Sequence, residues 1–457
     1  MNEPVKKLSL AALAVPILVE QVLRNLMGTV NVFMLGNISD DAVAAVGVAN
    51  QIMNIVICAF TMLGVGAAVL INHAIGARKY AESAKLSMNA LTVAGVMGLA
   101  VSVTLIAGAD FFIRAVGLED ALIPIGAGYL RIMGGAAIPI ALSFMLANIF
   151  RSYGSARIPM LVVILNNIFN IAGAYIVIFR PFETPLVGSN GLAFVRMGSE
   201  TIGLLVLLFF LLRSQFGFQF SDCVRLRLKN VRDIVSTGLM TGMEGIFYNM
   251  AQVITTSFIT GLGSVMVSAK VYVQSVDFYA STLGFSIGQA AQIIVGQMMG
   301  AGQYEEGYRY MNRVWRYIVA SNLFFTITMF LCSRQLMSLF TQNPEIIAVA
   351  RQLFFINIIT FIGRSFNHSA GHGLRSAGYV FVTMLLCVAS IWICTVGLGY
   401  LFTVQLGLGV AGLYLGIMAD EWVRGGSMLI MWMRRVWKKG IVAKNEARHA
   451  QEESLSA

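Results

Sequence analysis

Apolar residues run along this chain in blocks of about 20 or more, separated by short polar breaks rich in Gly, Lys and Arg. A helix needs about 20 mostly apolar residues to cross a bilayer. The blocks predict twelve such helices, near 9–35, 46–73, 88–108, 123–150, 159–179, 191–212, 234–260, 268–298, 314–332, 347–371, 378–403 and 408–433. The first block follows Lys6 and Lys7, as the core of a signal peptide would. It continues past Glu20 for a full span with no small-residue cleavage site, so it reads as an uncleaved helix. Pro16 and Pro139 fall inside spans of the first half, and no span of the second half contains Pro. Kinks and freed backbone groups are therefore expected in the first half.

Composition agrees with lipid as the solvent. Of 457 residues, 57% are hydrophobic and 12% charged, against roughly 25% charged in a soluble domain. The net charge of +10 does not mark a nucleic-acid surface, because the basic residues are spread over short loops. With the N-terminus placed inside, 22 of the 32 Lys and Arg residues fall in inside segments, while the outside loops hold only Arg114, Arg180 and Arg334. This asymmetry puts both termini in the cytoplasm and requires an even number of spans. Cys58, Cys223, Cys332, Cys387 and Cys394 show no Cys-x-x-Cys spacing, which implies small buried side chains and no metal or disulfide framework. No P-loop or hydrolase motif occurs, and an inside loop of about 20 residues cannot hold an ATPase domain. An enzyme is not expected, and transport energy must come from an ion gradient or another protein.

Sliding the sequence by 224 residues superimposes its halves. Glu20 meets Glu244, Asn25 meets Asn249, Gly64 meets Gly288, Gly76-Ala77 meets Gly300-Ala301, Arg151-Ser152 meets Arg375-Ser376, and Gly154 meets Gly378. Toward the ends the shift becomes 221, carrying Gly191-Leu192 onto Gly412-Leu413 and Glu200 onto Glu421. Chance likeness between apolar helices would match Leu and Val rather than Glu and Arg. Each repeat has six helices, so both have the same orientation, and a pseudo-two-fold axis along the membrane normal relates them. The expected organisation is an all-α membrane protein with an N-terminal lobe over 1–212, a cytoplasmic linker over 213–233, a C-terminal lobe over 234–433 and a poorly ordered cytoplasmic tail over 434–457.

The motifs within the repeat resemble those of the multidrug and toxic compound extrusion (MATE) family. They are Pro-Ile-Leu-Val-Glu-Gln at Pro16–Gln21, Val-Asn-Val-Phe-Met-Leu-Gly around Asn31 and ending at Gly36, Ala-Val-Ala-Ala-Val-Gly at Ala42–Gly47, and Phe-Arg-Ser-Tyr-Gly at Phe150–Gly154 followed by Pro159-Met160. The likeness covers nearly the whole chain. It implies twelve helices in two lobes, whereas the related lipid-intermediate flippases commonly have fourteen. Many members carry Asp at the place of Asn31, and several carry Asp in the tenth helix near the place of Arg364. Glu244 matches the family's acidic residue in helix 7. The resemblance thus implies an altered cation site.

Candidate functional residues follow from polar groups at membrane depth, where each charge costs about 2.5–3.5 kcal/mol on insertion scales. Glu20, Arg24, Gly28 and Asn31 form one stripe of helix 1, and Glu244, Tyr248, Gln252 and Thr255 form its counterpart on helix 7. Burial penalises a charged carboxylate, so Glu20 and Glu244, with Asn31, are the candidate coupling-ion positions. The alternative for Glu20 is a simple pair with Arg24 one turn away. In helix 10, Arg364, Asn367 and His368 share a face; Arg364 could hold an anionic substrate group or neutralise a carboxylate of helix 1 or 7. Arg151 and Arg375 end their helices inside and read as topology anchors. Gln274 and Asp277 in helix 8, with Lys270 on the same face, and Asn170 in helix 5 complete the candidate substrate cavity. For each of these, an interhelical hydrogen bond is the alternative.

These observations point to a secondary antiporter of the inner membrane. It would export amphipathic organic solutes, zwitterionic or cationic, by alternating access on a proton or sodium gradient, functioning as a monomer among lipids, without a cofactor, metal or nucleic-acid partner. The alternative is a flippase for a lipid-linked intermediate. Two helices fewer than usual count against that alternative, and the cationic Arg24 and Arg364 count for it.

Overall fold

The computed structural model describes residues 8–36, 39–180, 185–214, 216–218, 222 and 227–438. Lys6, Lys7, Cys223, Arg225 and most of the expected tail lie outside them. Among the described residues every regular element is a helix. The chain forms two compact units, Met1–Gly242 and Met243–Ala457.

The first unit contains α1 (Leu10–Gly36), α2 (Asp40–Gly76), α3 (Tyr80–Ala115), α4 (Ile123–Gly135), α5 (Ala137–Ser152), α6 (Arg157–Phe179), α7 (Gly188–Arg213) and the first turns of α8 (Leu228–Thr260). The second contains the rest of α8, α9 (Ser264–Gly300), α10 (Tyr304–Leu331), the short α11 (Ser333–Ser338), α12 (Pro344–Phe366), α13 (His372–Ser376), α14 (Val380–Ser390) and α15 (Gly409–Met433). The boundary falls inside α8 because Gly238 and Gly242 lie tight against Leu63 and Met62 of α2, which keeps the start of α8 with the first unit. The linker does the same: Asn89 of α3 donates to the Asp222 carbonyl at 2.8 Å and accepts from the Arg227 amide, and Tyr153 stacks on Phe216.

Among the described residues eight helices, and up to nine with one bent pair, are long and apolar enough to cross a membrane. The three long helices outside that set are α8, α9 and α15, which carry Glu244, Asp277, Asp420, Glu421 and Arg424. Several helices outrun the predicted spans. Both α2 and α9 have 37 residues, about 55 Å at 1.5 Å per residue, because hydropathy marks only the lipid-crossing part and polar residues extend the helix into water.

The bent pair is α4 and α5, which meet at 48° where one helix over 123–150 was expected. Pro139 has no amide to offer the carbonyl of Gly135 and its ring crowds that carbonyl. Pro16, in contrast, is contained within the single helix α1. Freed backbone groups are not confined to the first half as expected. Wide π turns occupy Asn367–Gly371, Ile391–Leu398 and Leu401–Gln405, all in the second unit and all without proline. At the first of them, the Ser365 and Ser369 hydroxyls donate to carbonyls four residues back at 2.7 and 2.8 Å. Such competition with the backbone ladder, together with close packing, is a non-proline route to an irregular turn.

The repeat is visible in local geometry. Gly154 and Gly378 both take left-handed backbone conformations, φ +83° and +84°, and close their helices with the same pair of amide bonds. A Cβ on Gly64 would meet the Asn148 amide at 2.4 Å, and one on the equivalent Gly288 would meet the His372 ring at 2.6 Å.

Candidate functional site

Two ion pairs, one buried and one half-buried, stand at equivalent places in the two repeats. Glu20, 3% exposed on α1, accepts from Arg151 of α5 at 2.6 Å and from Arg24 at 3.1 Å. Glu244 of α8 accepts from Arg375 of α13 at 2.8 and 2.9 Å, and the Cys387 thiol donates to it at 3.1 Å. Each pair ties the first helix of its repeat to the end of the fourth span. Arg151 and Arg375 are therefore partners of the glutamates rather than the topology anchors expected. The signal was present in the sequence, since the 224-residue shift carries the Glu and the Arg together. In lipid an unpaired charge of either sign is costly, so the pair is the form in which both can be buried.

A second ionic cluster exists in the C-terminal unit alone. Arg364 of α12 donates to Glu421 of α15 at 2.9 Å and lies over the Phe361 ring at 4.4 Å. Arg424, one turn along α15, pairs with Glu421 and Asp420 at 3.1 Å each. Asp277 of α9 accepts from the Asn357 amide at 2.6 Å and is an electrostatic neighbour of Arg364, as is Tyr248. Two glycines permit this approach: a Cβ on Gly425 would lie 2.4 Å from the Gly363 carbonyl, and one on Gly363 would lie 3.0 Å from the Glu421 backbone. The repeat equivalents of Asp277, Arg364, Asp420 and Arg424 are Met53, Ile140, Ser199 and Gly203. The fold of a repeat thus forms without these four charges.

The expected stripe of helix 1 does not converge on one ion site. Asn31 is eleven residues beyond Glu20 on the same helix, about 16 Å along its axis, and it is half-buried. Neither cavity arginine is free for an anionic substrate. Arg24 is held by Glu20 and lies over Phe144 at 4.6 Å. Arg364 neutralises a carboxylate of the twelfth span, not of helix 1 or 7. Tyr248 and Gln274 are exposed, while Gln252, Asn367 and His368 are half-buried. His368 sits edge-on to Phe285 at 5.8 Å, and His372, one turn along, donates from Nδ1 to the Gln292 side-chain oxygen at 2.5 Å. Asn170 is 2% exposed, and its side-chain oxygen has no hydrogen-bond partner among the described residues. Lys270 donates to Thr256 at 2.8 Å, apart from Asp277.

Sequence reading passed over Asn357, Asp420, Arg424, His372 and Arg196. The spacing Asp420-Glu421-x-x-Arg424 within an apolar helix was the available signal. Arg196 donates to Asn50 at 3.0 Å and to Tyr129 at 3.4 Å; its signal was a basic charge within the sixth apolar block. Among the described residues there is no cluster of three or more His, Cys, Asp or Glu able to hold a metal.

Comparison with known proteins follows the same repeat. The MatE family profile matches twice, over residues 16–176 and 241–401. The chain is 34% identical over 440 residues to the uncharacterized transporter YisQ of Bacillus subtilis, covering 95% of this chain and 96% of that one. It is 24% identical to the probable multidrug resistance protein NorM of Thermotoga maritima, covering 96% and 94%. The outward-facing structure of a multidrug resistance MATE transporter of the MOP superfamily superimposes with a TM-score of 0.83 at 18% identity, over 96% of this chain and 97% of that one. Those structures have twelve helices in two lobes, the count predicted from the apolar blocks. The chain belongs to the MATE family of multidrug efflux transporters.

Proposed function

We propose that this protein is an ion-coupled antiporter that exports amphipathic organic solutes bearing a positive charge, by alternating access, across the inner membrane with both termini in the cytoplasm. The observation that carries the substrate class is the state of the arginines. Arg24 and Arg364 are both paired and stacked, so neither offers an anion a free partner, and Asp277 is a carboxylate with no arginine bonded to it among the described residues. Exposed aromatic side chains such as Tyr248 and Tyr279 suit a cationic, partly apolar molecule. The protein acts as a monomer surrounded by lipid in this reading, since each unit carries its own Glu–Arg ion pair.

The coupling positions are Glu20 and Glu244, with Asn31 further along α1. A proton delivered to Glu20 would leave Arg151 with no full partner and loosen α1 from α5; Glu244 and Arg375 would do the same for α8 and α13. Ion entry would thereby reach the backbone and shift the balance of inward-open and outward-open states. The test is efflux of ethidium from proteoliposomes under an imposed proton gradient, and separately under a sodium gradient. Wild-type protein should drive efflux on one of them. Glu20→Gln and Glu244→Gln should insert normally but lose most of that driven flux. Unchanged driven efflux in both single mutants and in the double mutant removes the two glutamates from the coupling site.

A further inference from the structure

The cluster on α9, α12 and α15 is uneven in charge. It contains three carboxylates, Asp277, Asp420 and Glu421, and two guanidiniums, Arg364 and Arg424. Both arginines are engaged by the α15 acids. Asp277 receives a single neutral donor, the Asn357 amide, at one oxygen, while its other oxygen is buried without any hydrogen-bond partner among the described residues. It lies thirteen residues from the start of α9, about 20 Å along the helix, far from either end. Asp277 is half-buried as a residue, but a carboxylate with one oxygen shut away and unpartnered at such depth is costly as an anion. Its repeat equivalent is Met53, so the architecture does not need it. A protonated carboxyl would remove the excess charge and give the bare oxygen a proton to hold.

We propose that Asp277 is a proton-binding site of the C-terminal unit, and that one proton and the positive group of a substrate occupy it alternately. This rests on the antiport reading above but assigns the exchange to a residue outside the repeat-related pairs. The surroundings of Asp277 are specific about the ion. From α12 it faces Asn357 and Arg364; Tyr414 of α15 and, through Arg364, Tyr248 of α8 belong to the same group. The half of α10 over 318–331 carries no titratable side chain; its residues are apolar, hydroxyl-bearing or, at Asn322, an amide. His368 and His372 face α9 further along, at Phe285 and Gln292, and Arg375 is bonded to Glu244 of α8. Lys270, two turns away on α9, is bonded to Thr256. A sodium ion needs several oxygen ligands, whereas the nearest formal charge to Asp277 is a guanidinium and its bonded partner is an amide N–H. A proton needs only the bare oxygen.

Purified full-length protein in detergent provides the test, with tetraphenylphosphonium as the probe cation. Binding should weaken about tenfold for each pH unit once the site protonates, since one proton displaces one cation. Asp277→Asn should bind the probe more weakly and without that pH dependence, and Asp277→Glu should restore the dependence. An infrared titration of the protonated-carboxyl stretch supplies a readout that needs no substrate. A band should appear on acidification of the wild type and be missing in Asp277→Asn, with Glu20→Gln retaining it. Replacing choline by sodium should leave the band in place. Equal pH dependence in wild type and Asp277→Asn, or an undiminished band in that variant, overturns the assignment; so does a band suppressed by sodium. If the wild type binds no probe at any pH while the band is lost with Asp277, the cationic-substrate reading fails and the proton site stands. Size-exclusion profiles check that each variant is folded.

Discussion

Glu20 and Arg151 are 131 residues apart in sequence and 2.6 Å apart in space, and Glu244 and Arg375 repeat that separation at 2.8 Å. A buried pair of this kind is worth little against a well-packed apolar replacement, but breaking it by removing one member strands the other. Arg151→Met should therefore destabilise the folded protein, by less than the cost of a fully broken pair, about 3–5 kcal/mol, because Arg24 still binds Glu20. The double change Glu20→Met with Arg151→Met should regain much of that loss, even though it removes more native groups. Thermal unfolding in detergent measures both. A double mutant no more stable than Arg151→Met would mean that Arg24, which also loses Glu20, carries as much of the cost as Arg151. At this scale the sequence disclosed the glutamates, because a charge in an apolar block is conspicuous. It concealed their partners, because an arginine at a helix end has a sufficient explanation in topology. The same limit applied to Arg364: its charge was evident from the sequence, but its partner Glu421 is 57 residues away and is chosen by the packing of α12 on α15.

Helices α12 and α15 meet where Gly363 and Gly425 bring two backbones together, and this contact positions Arg364 opposite Glu421. A methyl group on Gly425 has backbone in its way, with the Gly363 carbonyl 2.4 Å from the ideal Cβ, while Gly426 has nothing within 4 Å. Gly425→Ala should cost about 1–3 kcal/mol, as overpacking does, whereas Gly426→Ala should be neutral or slightly stabilising through helix propensity. Folded yield and melting temperature of the two neighbouring variants decide it; equal behaviour would show that the two helices can separate at no cost. Element positions were largely readable from the apolar blocks, and the repeat from the shift of 224. The π turns of the second unit were not. They arise from Ser365, Ser369 and close glycine contacts rather than from proline, which was the only breaker that local sequence rules detect inside a span. The bend between α4 and α5 escaped for the opposite reason: Pro139 was noticed, but hydropathy does not change across a kink.

At the scale of the whole molecule, orientation rests on charge alone, since 22 basic residues fall in the segments assigned to one side and three in those assigned to the other. The described turns allow this to be tested at defined points. Lys79 and Gln303 occupy equivalent exposed turns between the second and third helices of each repeat, after Arg78 at φ +57° and Gly302 at φ +74°. Glu119 and Gln342 are exposed in the turns at the other end of the helices that follow. In a cysteine-free background, Lys79→Cys and Gln303→Cys should react with a membrane-impermeant maleimide only after the cells are opened, while Glu119→Cys and Gln342→Cys should react in intact cells. The two repeats make the test demanding. An even number of spans per repeat requires Lys79 and Gln303 to label alike, so a result that places them on opposite sides removes the parallel repeat itself, and with it the equivalence of Glu20 and Glu244. Uniform reversal, with Lys79 and Gln303 labelled from outside, would keep the fold but place both termini outside. That outcome would mean that the basic loops do not set the topology of this chain, contrary to the positive-inside rule.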